Sequence, residues 1–244
     1  MRGRIRYWWA LTVLVPLTIV LGLLVIALRL ITFSDRLPAR IGVLWARAIL
    51  RTSGVEVSVS GLENIDPKAQ YIFLGNHTSA FDIPAMYVGV PNQLGMLAKV
   101  GLAYIPVFGW AMWAAGHFFI NRHDHAKAMS MMEQVTRILQ RYRHRSLVIF
   151  PEGTRSLDGQ LHPFKKGAFL MAIESGIPIV PVVINGAFKA KSKYAHAIEP
   201  THIELVISKP IDPAKFSFET RNEFIAETYQ VFESLYQAPS SDTQ

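Results

Sequence analysis

The residues best equipped for chemistry stand in two short runs, Asn76-His77-Thr78-Ser79-Ala80-Phe81-Asp82 and Phe150-Pro151-Glu152-Gly153-Thr154-Arg155-Ser156. An imidazole with a carboxylate nearby is the equipment of a general base and the group that orients it. None of the other seven histidines has an Asp five residues later. In this reading His77 takes a proton from an attacking hydroxyl, and Asp82 holds the other ring nitrogen. Five residues on a helix rotate by about 140°, so the two meet only if the chain turns between them. The competing reading makes Asp82 a helix cap ahead of Pro84 and leaves His77 without a role. Ser79 sits in no Gly-x-Ser-x-Gly elbow, so nothing marks it as a nucleophile. The second run places a carboxylate, a hydroxyl and a guanidinium on one turn, suited to holding a phosphate. Taken alone it reads equally as a strand-to-loop turn with a surface Arg.

Both runs follow apolar stretches. Tyr71–Leu74 precedes the first and Leu147–Phe150 the second, and the carboxyl ends of strands are where α/β folds build sites. The remaining pattern alternates strands and helices. Predicted strands cover 55–59, 71–74, 94–98, 117–120, 147–150, 179–184 and 203–207, and predicted helices 83–89, 106–115, 125–143, 166–175 and 219–236. The alternation predicts an α/β domain with a mixed, largely parallel sheet flanked by helices. Pro181 argues for an edge strand or a bulge at 179–184, because proline lacks a ladder donor.

The chain has 244 residues, a net charge of +7 and no Cys. Disulfides, thiolate nucleophiles and Cys-ligated metals are therefore excluded. Residues 1–60 hold eight Arg against Asp35 and Glu56, while the remainder is nearly neutral. A basic excess beside an apolar leader suits an anionic membrane surface, whereas nucleic-acid binding calls for a basic stripe across the folded domain. From Trp8 to Leu28 no residue is charged, a length able to span a bilayer as a helix, interrupted by Pro16. Residues 36–52 place Ile41, Leu44, Trp45 and Ala48 on one face and Arg40, Arg47 and Arg51 on another. The expectation is a two-helix unit over residues 1–53 that dips into one leaflet, a domain over 54–238 and a disordered tail at 239–244. His123-Asp124-His125 has no third spaced ligand, so no metal site is expected.

Together the blocks resemble the glycerolipid acyltransferases that include 1-acylglycerol-3-phosphate (lysophosphatidic acid) acyltransferases. NHTSAFD fits that family's N-H-x-S-x-x-D block and FPEGTRS its F-P-E-G-T-R-S block. Between them Gly116-His117-Phe118-Phe119-Ile120-Asn121-Arg122 is similar to G-x-x-F-I-x-R, and Ile179-Val180-Pro181-Val182-Val183 to a proline-containing apolar block. The resemblance implies acyl transfer from acyl-CoA or acyl-carrier protein to the 2-hydroxyl of a lysophosphatidic acid, without a covalent enzyme intermediate and without a cofactor. It implies His77 as base and Asp82 as its orienting group. It assigns Glu152, Gly153, Thr154 and Arg155 to the acceptor's glycerol phosphate, with Arg122 and Lys99 as further contacts. Gly101 stands where an acidic residue is frequent in that family, and Asn121 where Asp is. Other acceptors, such as glycerol 3-phosphate or another lysolipid, stay open, as does a catalytically silent lipid-binding module. The expected location is a membrane surface, the cytoplasmic face of a bacterial inner membrane.

Overall fold

The computed structural model describes residues 2–121 and 124–239. Two helices come first, α1 (Arg2–Thr32) and α2 (Arg36–Ser53), followed by β1 (Val55–Ser60), β2 (Ile72–Gly75), α3 (Asp82–Gly89) and β3 (Leu94–Lys99). Then come α4 (Phe108–Ala114), β4 (Phe118–Ile120), α5 (His125–Arg141), β5 (Ser146–Ile149) and α6 (Gly167–Ser175). The chain closes with β6 (Ile179–Asn185), the short α7 (Ala187–Ala190), β7 (Thr201–Ile207) and α8 (Arg221–Leu235).

The seven strands form one sheet in the order β1-β7-β6-β2-β5-β3-β4. Five neighbouring strands from β6 to β4 run parallel, and β7 turns antiparallel against β6 while pairing parallel with β1. Parallel strands need crossovers with helices on both faces, so their sequences are apolar throughout rather than alternating. Every residue of β2, β5 and β6 is buried, whereas edge strand β1 alternates buried or half-buried Val with exposed polar residues. One core face gathers Phe73, Val148, Val180 and Leu205 under α2 and α3. The other gathers Leu74, Leu147, Ile149 and Phe169 under α5, α6 and α8.

Of the two alternatives drawn from Pro181 the sheet excludes the edge strand, because β6 lies between β7 and β2, and leaves the bulge. The Ile72 N–H donates to the Pro178 carbonyl, so even-numbered residues of β6 turn their backbone groups to β2. Pro181 therefore turns its ring nitrogen to the β7 side. There the pairing slips by one residue between the isolated Ile179–Ile211 bridge and Val182–Ile207. The missing donor falls in that slip, and the Pro181 carbonyl still accepts from the Ser208 N–H at 2.9 Å.

α1 is long and apolar enough to cross a membrane, and only 11% of its most apolar window is buried. It nonetheless lies along the domain. Trp45 of α2 donates to Thr18 of α1 at 2.9 Å, and the Ile198 N–H donates to the Gly3 carbonyl at 3.1 Å. The corner between α1 and α2 is fixed by Asp35, buried and paired with Arg145, which immediately precedes β5. Asp35 also accepts from Gln93 Nε2 at 2.9 Å. Removing one member of a buried charge pair leaves the other uncompensated. Asp35→Ala is expected to destabilise the protein by about 3 kcal/mol, read as a drop in unfolding midpoint by denaturant titration.

Candidate active site

The Asn76–Asp82 run leaves the carboxyl end of β2, and the Phe150–Ser156 run leaves the carboxyl end of the adjacent β5. Between β2 and α3 the chain turns back on itself, which brings His77 and Asp82 together. Asp82 Oδ2 lies 2.7 Å from His77 Nδ1 and also accepts the Thr78 and Ser79 N–H groups, each at 2.8 Å. These bonds point upstream, away from the helix that Asp82 begins, so the carboxylate is no helix cap. An ionised carboxylate only accepts; Nδ1 therefore carries the proton, and Nε2 keeps its lone pair. Among the described residues no side chain occupies that lone pair. The imidazole stacks on Phe150, with centroids 4.1 Å apart and planes 19° off parallel, which fixes its tilt.

The His77 peptide is held at both ends by the second run. Its N–H donates to Glu152 Oε1 at 2.8 Å, and its carbonyl accepts the Ser156 N–H at 2.7 Å. The resemblance gives Glu152 a contact to the acceptor, and in the structure its first partner is the His77 backbone. Its carboxyl group is buried beneath His77, and Glu152 does not line the cavity described below. A carboxylate facing a phosphate would also repel it. Burial pushes the Glu152 pKa up to about 7, opposed by hydrogen bonds from the backbone of His77 and His162 and reinforced by Asp82 and Asp158. Gly153 carries the turn at a φ of 78°, where a Cβ would meet Lys165 Nζ at 2.7 Å.

Asn76 does structural work that its sequence position does not reveal. Its side-chain amide donates to the Ile184 carbonyl at 2.9 Å and accepts the Ile184 N–H at 2.7 Å. It thereby continues the β2–β6 ladder past Gly75, where the main chain has begun to turn. Ser79 donates its hydroxyl to the Lys191 carbonyl at 2.8 Å, which ties the run to the loop after α7.

His77 lines a cavity of about 530 Å³ that runs from the strand ends into the space between α1, α2, α3 and α4. Thr154, Arg155, Lys193 and Lys99 also line it, so one chamber joins His77 to cationic side chains. Lys99 ends β3 and is exposed. Arg122, the other expected phosphate contact, lies outside the described residues. Elsewhere the walls are mainly apolar, with Leu21, Val25, Ile41, Trp45, Ile83 and Met112 among them. The exception is a buried pair, Tyr87 and His117, 2.6 Å apart. His117 Nδ1 accepts the Met96 N–H at 3.0 Å, so its proton sits on Nε2 and points to the Tyr87 oxygen. Burial, aided by Arg145, lowers the His117 pKa to about 4 and keeps the pair neutral. Of the His123-Asp124-His125 cluster, Asp124 caps α5 by accepting the Lys127 N–H at 3.1 Å. Among the described residues no group of three or more His, Asp or Glu side chains is placed to hold a metal ion.

Comparison with known proteins places this geometry in context. The family model described as Acyltransferase matches residues 56–185, more than half of the chain. A 1-acyl-sn-glycerol-3-phosphate acyltransferase of Limnanthes douglasii is 30% identical over 180 residues, covering 73% of this chain and 63% of that protein. The human 1-acyl-sn-glycerol-3-phosphate acyltransferase alpha is 36% identical over 132 residues, 54% of this chain and 46% of that protein. The chain thus spans about half to two thirds of the length of these relatives. The crystal structure of the 1-acyl-sn-glycerophosphate (LPA) acyltransferase PlsC from Thermotoga maritima superposes with a TM-score of 0.80. It shares 24% identity over 96% of this chain and 94% of that one, and so has the same fold.

Glu152 generates a prediction with a definite sign. Its folded pKa, about 7, lies above the ordinary 4.5. The unfolded chain therefore loses this proton first as pH rises, and stability falls between about pH 4.5 and 7. Glu152→Gln removes that slope. The difference in melting temperature, variant minus wild type, is expected to grow in the variant's favour from pH 4.5 to 7 and then level off. A difference independent of pH would overturn the assignment.

Proposed function

The chain belongs to the Acyltransferase family, and from that premise we propose that it moves an acyl chain to the sn-2 hydroxyl of 1-acyl-sn-glycerol 3-phosphate. The donor is the thioester of acyl-CoA or acyl-carrier protein, and the product is phosphatidic acid. The observation that carries this reading is His77, its Nδ1 on Asp82 and its Nε2 engaged by no described side chain, in a chamber shared by an apolar tunnel and the Thr154–Arg155 turn. A lysophosphatidic acid combines an acyl chain, a hydroxyl and a phosphate, which match those three surroundings. The names of the relatives give the same substrate class.

His77 Nε2 accepts the proton of the sn-2 hydroxyl as its oxygen bonds to the thioester carbonyl carbon. The tetrahedral intermediate collapses, the carbon–sulfur bond breaks, and the thiolate takes the proton back from His77. Asp82 remains ionised throughout and stabilises the imidazolium while it exists. No atom of the protein becomes acylated, which agrees with Ser79 being engaged by the Lys191 carbonyl. Arg155 and Thr154 bind the phosphate, Gly153 shapes their turn, and Lys99 adds charge at the rim. Glu152 acts at one remove by holding the His77 backbone.

The exposed apolar residues support a membrane-facing surface. Trp8 and Trp9 of α1 are each 61% exposed, and Trp110 and Trp113 of α4 are 60% and 69% exposed. Monomeric soluble proteins rarely leave so many large apolar side chains in water. α1 is fastened to the domain near both ends, so the two helices dip into one leaflet and present the cavity to lipid. Arg40, Arg47 and Arg51 of α2 are exposed and supply charge for anionic headgroups. The acyl donors are cytosolic, which puts the catalytic face on the cytoplasmic side, in the bacterial case that of the inner membrane.

Two measurements test this reading. Thiol release from acyl-CoA, or from acyl-carrier protein, in the presence of lysophosphatidic acid is expected to fall by about a thousandfold in His77→Ala. A full rate in that variant would sink the base assignment, and no release by the wild type with either donor would sink the enzyme. Replacing Trp8, Trp9, Trp110 and Trp113 by Ser is expected to weaken co-sedimentation with anionic vesicles by at least about tenfold. Undiminished binding would place the membrane contact elsewhere.

A further inference from the structure

The loop after α7 brings a residue into the chamber that neither sequence run contains. Lys193 Nζ donates to Thr154 Oγ1 at 3.0 Å and to the Arg155 carbonyl at 3.3 Å. It lines the same cavity as His77, Thr154 and Arg155. Two of its three N–H groups are thus spent on neutral oxygens that frame the turn, and one remains. Its loop is not free to drift. The Ser79 hydroxyl donates to the Lys191 carbonyl two residues earlier, so the catalytic run fixes where Lys193 begins.

Charge points the same way. Among the described residues no carboxylate forms an ion pair with Lys193, Arg155 or Lys191. Lys191 Nζ lies 5.7 Å from the centre of the Tyr7 ring, and burial together with the nearby Arg155 charge lowers its pKa. Three cations thus gather beside one turn, and among the described residues none of them is ion-paired with a carboxylate. Like charges brought together in a partly enclosed site raise its energy, and a bound anion relieves it. The anion best matched to a hydroxyl, a guanidinium and an ammonium is a phosphate monoester, which offers three charged acceptor oxygens.

We propose that Lys193 is a phosphate-binding residue for the acceptor, completing with Thr154 and Arg155 a three-sided site for the sn-3 phosphate; this rests on the function proposed above. The acceptor's phosphate is favoured over those of the donor by covalent distance. In 1-acyl-sn-glycerol 3-phosphate the phosphorus is only a few bonds from the hydroxyl that His77 must reach. In acyl-CoA the phosphates lie beyond the pantetheine arm. Lys193 therefore sets the register of the acceptor, anchoring one end of the glycerol while the base meets its middle carbon.

The test compares Lys193→Met and Lys193→Arg with the wild type in mixed micelles, varying lysophosphatidic acid and acyl-CoA separately. Lys193→Met is expected to raise KM for lysophosphatidic acid by about tenfold to a hundredfold, the loss of one charged hydrogen-bonding group. Its KM for acyl-CoA should stay within about twofold of wild type, and Lys193→Arg should recover most of the acceptor affinity. A fall in kcat with KM unaltered would mean that Lys193 only braces the turn, and the proposal fails. A rise in KM for acyl-CoA alone, or no change at all, overturns it too. Wild-type protein that releases no thiol with lysophosphatidic acid would instead overturn the functional reading itself.

Discussion

The structure depends on one peptide unit, that of His77. Its N–H is held by Glu152 and its carbonyl by the Ser156 N–H, at 2.8 and 2.7 Å. A general base must keep its lone pair within a fraction of an ångström of the proton it takes. A side chain on a free loop would not do so. Here the backbone carrying the imidazole is clamped from one side by the second run, while the ring is set by Asp82 and Phe150 from two others. The Asn76–Asp82 and Phe150–Ser156 runs are therefore parts of one object, and the placement of His77 relative to Thr154 and Arg155 is built into main-chain bonds.

That clamp is possible because β2 and β5 are parallel neighbours although some 75 residues separate them. α3, β3, α4, β4 and α5 are crossed in between, and each crossover returns the chain to the same end of the sheet. A parallel arrangement places all strand carboxyl ends on one edge, so turns far apart in sequence meet there. β6 joins the same edge through Asn76, whose amide takes the place of a ladder residue against Ile184. Burial of these strands on both faces makes the edge stiff, and stiffness is what the clamp requires.

Much of this was legible in the sequence, for a physical reason: the signals were local. The seven strands and the main helices emerge within a few residues of their observed ends, because apolar runs bounded by turn residues report burial directly. His77 and Asp82 were legible as a pair since the turn joining them is short. Other contacts were not, because their partners lie far along the chain. Asn76 meets Ile184, and Glu152 meets the backbone of His77. Nothing local distinguishes a carboxylate that faces a cavity from one buried beneath it. Pro181 left edge and bulge undecided for a related reason, since the extra residue that accommodates it lies on the segment after β7 and not in β6. Lys193 carried no signal because an ordinary lysine acquires meaning only when its loop is pinned to Ser79.

The leader also means more than its composition suggested. An apolar helix followed by an amphipathic one reads as an anchor, separable at the glycine that follows. Yet Ala46 and Leu50 of α2 are buried in the same core cluster as Phe73 and Val180. Leu21 and Val25 of α1, with Ile41 and Trp45 of α2, wall the cavity that contains His77. The two leading helices are therefore also walls of the chamber in which His77 sits. Under the function proposed above, an acyl chain would pass from the bilayer between these side chains rather than through water, where each exposed methylene would cost about 0.8 kcal/mol. The Asp35–Arg145 pair holds the corner between the two helices that supply these walls, so a contact outside the cavity sets how its walls meet the domain.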